Sequence, residues 1–241
     1  MKPILLVRND AYETFGITTS ALGHAGVPVL VYDAVSGEME RPSLDEVSGV
    51  AMFGSSYNVE NADEQPFIKE LRELTLEALD RGTPFLGVCF GAQVLAWSLD
   101  APVVKAPARE IGFVRLRPLP AAADDPLLSH HTEGDHGFEW HEDTFELPPG
   151  AQLLVSGDTV RNQAYRLGER TWGVQWHLEV DDPELLLWLT VYSERHDLRS
   201  TWGKSVEDVR DEARRYMAEH DRKGREIFRR FAEIARRASD A

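Results

Sequence analysis

The segment Pro84-Phe85-Leu86-Gly87-Val88-Cys89-Phe90-Gly91-Ala92-Gln93 constrains this chain more than any other. A short apolar run enters Gly-x-Cys-x-Gly and leaves as a helical pattern over residues 92–99. A strand-to-helix turn this tight has no room for side chains two residues either side of its centre, hence glycine at 87 and 91. The central residue is forced into strained backbone, which lifts its sulfur clear of the sheet. The pattern is a nucleophile elbow with Cys in place of Ser. At a helix N-terminus the peptide dipoles and unbonded N–H groups favour a thiolate. The N–H of Phe90 points where an oxyanion would form. Cys89 is the chain's one cysteine, so no internal disulfide is available, and a lone thiol fits a reducing cytosol.

Short apolar runs alternate with helical patterns before and around this turn. Residues 4–7, 28–32, 50–53 and 85–88 are runs of four or five apolar residues bounded by Gly, Pro and Asp, as in parallel strands covered on both faces. Between the third and fourth, Phe67, Ile68, Leu71, Leu74, Ala78 and Leu79 recur at helical spacing, with Gly82 and Pro84 as a stop. This order predicts an α/β fold around a parallel sheet. From residue 102 the pattern changes. Residues 103–104, 113–116, 138–140, 152–155, 163–166 and 173–176 are short, alternating and separated by Pro, Gly, Asp and Asn, which predicts an antiparallel meander added to the parallel core. Residues 129–135 read as a polar loop.

The tail, 203–238, carries an apolar stripe from Val206 to Ala235 at spacings of three and four, with Gly224 expected as a break or kink. It holds 11 Lys/Arg and 8 Asp/Glu, a net +3 on a chain of net −15. A cationic helix on an anionic body predicts packing across its own domain or a neighbour. We therefore divide the 241 residues into a domain over 1–195 and a C-terminal helical extension over 196–241.

A thiol nucleophile needs a base. His177 ends the apolar run Trp172-Gly173-Val174-Gln175-Trp176, and Glu179 follows two residues later. In extended chain that spacing puts both side chains on one side, where a carboxylate fixes the imidazole tautomer and stabilises the imidazolium. Other chemistries are excluded by what surrounds this pair. A net charge of −15 repels a phosphate backbone, so no nucleic-acid partner is expected. The N-terminal apolar run is too short for a signal peptide and no run reaches spanning length, so a cytoplasmic protein without a membrane partner is expected. His130, His131, Glu133, Asp135, His136 and His141 cluster in sequence but match no metal-ligand spacing, so no metal is expected. No Walker or Gly-x-Gly-x-x-Gly sequence appears, and no cofactor is expected.

Together the two motifs resemble the class I glutamine amidotransferase family, over roughly residues 1–195, and most nearly stand-alone members similar to the glutaminase domain of GMP synthase. The resemblance implies a flavodoxin-like, doubly wound and mostly parallel sheet. It implies Cys89 as nucleophile with His177 and Glu179 completing the triad, and the backbone of Ser55 and Phe90 as oxyanion hole. It implies Gly54 and Gln93 as substrate contacts. Phe138-Glu139-Trp140-His141-Glu142-Asp143-Thr144-Phe145 resembles the family's Trp-His-Gly-Asp-Thr-Phe segment, which adds His141 and Asp143 as substrate-pocket candidates. Lys105 and Glu110-Ile111-Gly112 fit the loop after the elbow helix. This chain departs from the family at three places: Ser55 and Glu142 replace glycines, and Leu178 replaces a proline. The implied substrate is L-glutamine, with a separate synthetase or acceptor subunit as partner for the ammonia. A γ-glutamyl hydrolase or peptidase acting on γ-glutamyl amides without a partner is the alternative. A binding or regulatory module that has lost catalysis is the third.

Overall fold

The computed structural model describes residues 1–239. Nine strands form one sheet. In chain order they are β1 (Ile4–Arg8), β2 (Val29–Asp33), β3 (Gly49–Met52), β4 (Phe85–Val88), β5 (Val103–Pro118), β6 (His136–Phe145), β7 (Gln152–Gly157), β8 (Ala164–Leu167) and β9 (Thr171–Val174). Six α-helices accompany them: α1 (Thr18–His24), α2 (Pro66–Asp80), α3 (Phe90–Ser98), α4 (Asp182–Ser193), α5 (Leu198–Trp202) and α6 (Val206–Ser239). The spatial order is β2-β1-β3-β4-β9-β8-β7-β5-β6. The first five run parallel, and β8, β7, β5 and β6 continue the sheet antiparallel.

The apolar runs are continuous because the parallel strands are buried on both faces. In β1 the period of two divides them: Ile4 and Leu6 join one core cluster, and Leu5 and Val7 the other. On the first face Ile17, Ala21 and Leu22 at α1 meet Ile227, Phe228 and Phe231 of α6. On the second, Phe67, Ile68, Leu71 and Leu74 of α2 meet Val94 and Leu95 of α3. A third cluster, over β5 and β6, joins Ile111, Phe113 and Phe138 to Leu185 and Leu189 of α4 and to Val209 and Met217 of α6.

Several expectations are corrected here. Residues 103–104 and 113–116 belong to one strand, β5, whose pairing with β6 shifts register between Lys105 and Glu110. Residues 171–174 are no meander strand only: β9 pairs parallel with β4 and antiparallel with β8, and so joins the two halves of the sheet. Residues 129–135 form a polar loop as expected, but two of its side chains face inward. His131 and Asp135 are buried, 3.1 Å apart, and the buried ammonium of Lys223 lies 2.8 Å from the same carboxylate. Gly224 neither breaks nor kinks α6, which runs unbroken for 34 residues. A Cβ at Gly224 would sit 2.2 Å from the carbonyl oxygen of Leu178. The glycine is there for close approach of helix to backbone, not for flexibility.

Candidate active site

The elbow forms as its spacing predicts. β4 ends at Val88, α3 begins at Phe90, and Cys89 between them has φ 50° and ψ −107°. Positive φ in a non-glycine residue is strained, and a hydrogen bond and two close backbone approaches around the turn accompany it. The Cys89 N–H donates to Val174 O at 2.8 Å. A Cβ at Gly87 would meet Gly91 O at 2.5 Å, and one at Gly91 would meet Met52 O at 2.1 Å. Both glycines are therefore steric requirements of the turn. Phe90, first residue of α3, has no intrahelical acceptor for its N–H.

His177 emerges just past β9, and its backbone N–H donates to Phe138 O at 2.8 Å. Its Nδ1 lies 2.8 Å from Glu179 Oε1, and Nε2 has no hydrogen-bond partner among the described residues. Glu179 is fully buried. Burial opposes a charged imidazole, but the adjoining Cys89 and Glu179 outweigh it, so His177 is held well above the ordinary histidine range. Gln175 adds a donor, its Nε2 lying 3.6 Å from Cys89 Sγ. Gly54 packs flat against the base: a Cβ there would stand 2.6 Å from His177 Cε1. Ser55 replaces a glycine without penalty, because it is not among the positive-φ residues. Its hydroxyl donates to Asn9 O at 2.8 Å and accepts from the Tyr57 N–H at 3.1 Å, which shapes the turn.

These groups open into a cavity of ≈ 470 Å³ lined by Gly54, Ser55, Cys89, Phe90, Gln93, His141, Asp143 and His177. Every expected site residue except the buried Glu179 thus reaches one cavity. Gln93 donates to Asp143 O at 2.9 Å, which ties the elbow helix to β6. Asp143 pairs with Lys105 at 2.8 Å. The extra charge of Glu142 is met by Arg109 at 2.8 Å and Lys105 at 3.3 Å. Burial works against that carboxylate, yet Lys105 leads the contacts that keep Glu142 below its usual range. His141 is engaged at both ring nitrogens: Nδ1 with Asp143 O at 2.8 Å, and Nε2 with Glu110 at 3.1 Å and Glu139 at 3.3 Å. Its role in the cavity is to hold the β6 backbone. Glu110, Glu139 and His141 offer three buried donor atoms within 4.8 Å of one another, the oxygen and nitrogen types that divalent cations accept.

Other participants lie outside the sequence motifs. Glu13 and Glu184 stand behind Glu179. Burial, then Glu184 and Glu179, push Glu13 far up, and burial and Glu179 raise Glu184 to about 7. The Thr14 N–H and hydroxyl both donate to Glu184, at 2.7 and 2.8 Å. The Ile17 N–H donates to Glu179 O at 2.9 Å, so the loop before α1 clasps Glu179. Trp140, Trp188, Tyr192, Arg195 and Trp202 complete the cavity wall. Four of these five come from α4, α5 and the turn between them. Asp181 as N-cap and Pro183 in the first turn were readable signals for α4, but its apolar residues surround the axis and show no stripe.

The comparisons with known proteins agree with this geometry. The family model "Glutamine amidotransferase class-I" matches residues 10–184. GMP synthase [glutamine-hydrolyzing] of Porphyromonas gingivalis is 37% identical over 140 residues, 57% of this chain and 26% of that protein. The chain thus spans about a quarter of the length of that relative. Among solved structures, a glutamine amido transferase from Methylobacillus flagellatus is 27% identical, with TM-score 0.84 over 97% of this chain and 95% of that one. A glutamine amidotransferase from Thermotoga maritima shares the fold at 23% identity, with TM-score 0.81 over 100% and 99% of the two chains. The match to the family model runs from the loop that clasps Glu179 to Glu184 behind it, enclosing elbow, base and acid, and on that extent the chain belongs to the class I glutamine amidotransferase family of enzymes.

Proposed function

We propose that this protein hydrolyses the side-chain amide of L-glutamine through a γ-glutamyl thioester on Cys89. The observation that carries the reading is His177, fixed by Glu179 on one nitrogen and presenting the other to the cavity beside a strained cysteine. His177 takes the thiol proton, and the Cys89 thiolate attacks the amide carbon. The N–H groups of Ser55 and Phe90 receive the developing oxyanion, an interaction of about 3–4 kcal/mol per donor in serine proteases. The carbon–nitrogen bond breaks as His177 returns the proton to the leaving ammonia. Water, deprotonated by His177, then cleaves the thioester to give glutamate and the free thiol. Gln93 and Asp143 bound the end of the cavity that takes the glutamyl group. The ammonia would pass to a synthetase, as the likeness to part of a GMP synthase suggests.

Glutamate and ammonia release from L-glutamine, measured for wild type and Cys89→Ala, tests this. Release lost in the variant, with an unchanged melting curve, is the expected result. Release that survives the substitution overturns the assignment of Cys89.

A second reading keeps the triad and changes the leaving group. The cavity of ≈ 470 Å³ falls within the range of about 300–1,000 Å³ that takes drug-sized ligands, more than an amino acid needs. This favours γ-glutamyl amides with a substituted amine, cleaved without a partner.

A further inference from the structure

We propose that the cavity holds a leaving-group subsite for an aromatic amino acid, which makes γ-glutamyl dipeptides with an aromatic C-terminal residue the favoured substrates. The inference rests on the second reading above and names its substrate.

The direction of the leaving group follows from the triad. His177 Nε2 must reach the departing nitrogen, so any substituent on that nitrogen continues past the imidazole. The next group there is Trp188, packed edge-on to the His177 ring at 5.0 Å. Beyond it Trp140 lies 6.4 Å from Trp188, 5.4 Å from Tyr192 and 6.1 Å from Trp202, all centroid to centroid. All four rings line the cavity and all four are only part-buried. Two of their polar edges are already used. Trp188 Nε1 donates to Tyr12 O at 3.0 Å, and Trp202 Nε1 donates to the Tyr192 hydroxyl at 2.9 Å. These groups therefore present carbon surface to a ligand, and a flat apolar group is what such surfaces take.

The charges at the rim decide between a cationic and an anionic ligand. Of the acids there, Glu142 is compensated by Arg109 and Asp143 by Lys105, while the Asp10 carboxylate accepts from the backbone N–H groups of Tyr12 and Ser56. The guanidinium of Arg109 itself covers Trp202, 5.7 Å from the ring centre. Arg195, also in the cavity wall, is exposed and has no carboxylate within ion-pair distance among the described residues. A cationic amine would meet an arginine in the wall, Arg195. An α-carboxylate meets one that is unpaired, and guanidinium–carboxylate pairing is geometrically specific. Aromatic ring and carboxylate on one amine describe an aromatic amino acid.

Trp188, Tyr192, Arg195 and Trp202 all lie beyond residue 184, where the match to the family model ends. The step balances as ordinary amide hydrolysis. The γ-glutamyl carbon–nitrogen bond breaks, the amino acid leaves with the proton from His177, and water completes glutamate.

The test compares kcat/KM for γ-glutamyl-phenylalanine, γ-glutamyl-alanine, γ-glutamyl-phenethylamide and L-glutamine. The phenylalanine dipeptide is expected to exceed the alanine dipeptide about tenfold, the scale of one well-packed aromatic contact, and to exceed the phenethylamide as well. Trp202→Ala should collapse the first ratio, with Trp202→Leu as the variant that keeps apolar volume if alanine does not fold. Arg195→Gln should collapse the second ratio and leave the first. Equal rates for the two dipeptides in an enzyme that hydrolyses glutamine overturn the subsite and leave the glutaminase reading standing. If no substrate is turned over, calorimetric binding to the Cys89→Ala protein decides. Tighter binding of the phenylalanine dipeptide upholds the subsite and sinks only the hydrolase reading, and equal binding overturns the subsite.

Discussion

Gly54 shows how little freedom the residues around Cys89 have. Its missing side chain leaves room for the His177 ring, and a single methyl would stand 2.6 Å from Cε1. Gly54→Ala should therefore displace the imidazole and lower kcat by about 100-fold, the order expected when a catalytic group moves by an ångström. The melting temperature should change little, because His177 and not the backbone gives way. Steady-state kinetics beside a thermal melt would separate the two effects. The buried acids behind the triad set a pH dependence of stability. Glu184 rises to about 7 in the folded protein, from an ordinary value of 4.5. Below pH 4.5 it is protonated in both states. Between 4.5 and 7 the unfolded chain ionises first, so stability falls as pH rises through that window. Glu184→Gln keeps an acceptor for Thr14 and removes the titration, and its melting temperature should vary less than wild type between pH 5 and 8. A parallel slope for the two proteins would show that Glu184 is not the group responsible.

At the scale of elements, α6 touches the His177–Glu179 segment from behind. Its Gly224 meets the carbonyl of Leu178, the residue between His177 and Glu179. One turn earlier, burial depresses His220 to about 4 against the pull of hydrogen bonding to the backbone of His177 and His136. Two effects compete in Gly224→Ala. Helix propensity favours alanine by about 1 kcal/mol. Forcing a methyl into a packed contact costs about 1–3 kcal/mol. At 2.2 Å from backbone oxygen the second should win, so the variant should melt lower and turn over more slowly. A stabilised Gly224→Ala would instead show that helix propensity outweighs the contact with Leu178. The contrast shows which elements could be read in advance. β1 to β4 are legible because strands buried on both faces leave unbroken apolar runs, and the elbow and His-x-Glu pair because their chemistry is local in the chain. Glu139 is not, nor is the place of Glu110, since only the β5–β6 register, shifted by a bulge after Lys105, sets them beside His141. The aromatic wall is illegible for a related reason. Trp140, Trp188 and Trp202 come from β6, α4 and α5, and no spacing within one element reports their meeting.

Across the whole molecule, α6 is part of the core and not an ornament on it. Val209, Met217, Ile227, Phe228 and Phe231 are buried, and at about 1.5–3 kcal/mol each they contribute on the order of the net stability of a typical domain. A chain ending before Val206 should therefore lose cooperative unfolding altogether, as seen by near-ultraviolet circular dichroism and calorimetry. A truncated protein with a sharp melt would mean that the sheet is self-sufficient. No helix among the described residues is long and apolar enough to cross a membrane. The one cysteine of the sequence lies in the cavity, at the strained turn. Every chain thus carries its own label site, with no background. Moles of iodoacetamide taken up per mole of protein count competent molecules directly, and protection by an added amide reads occupancy of the cavity before any turnover assay exists.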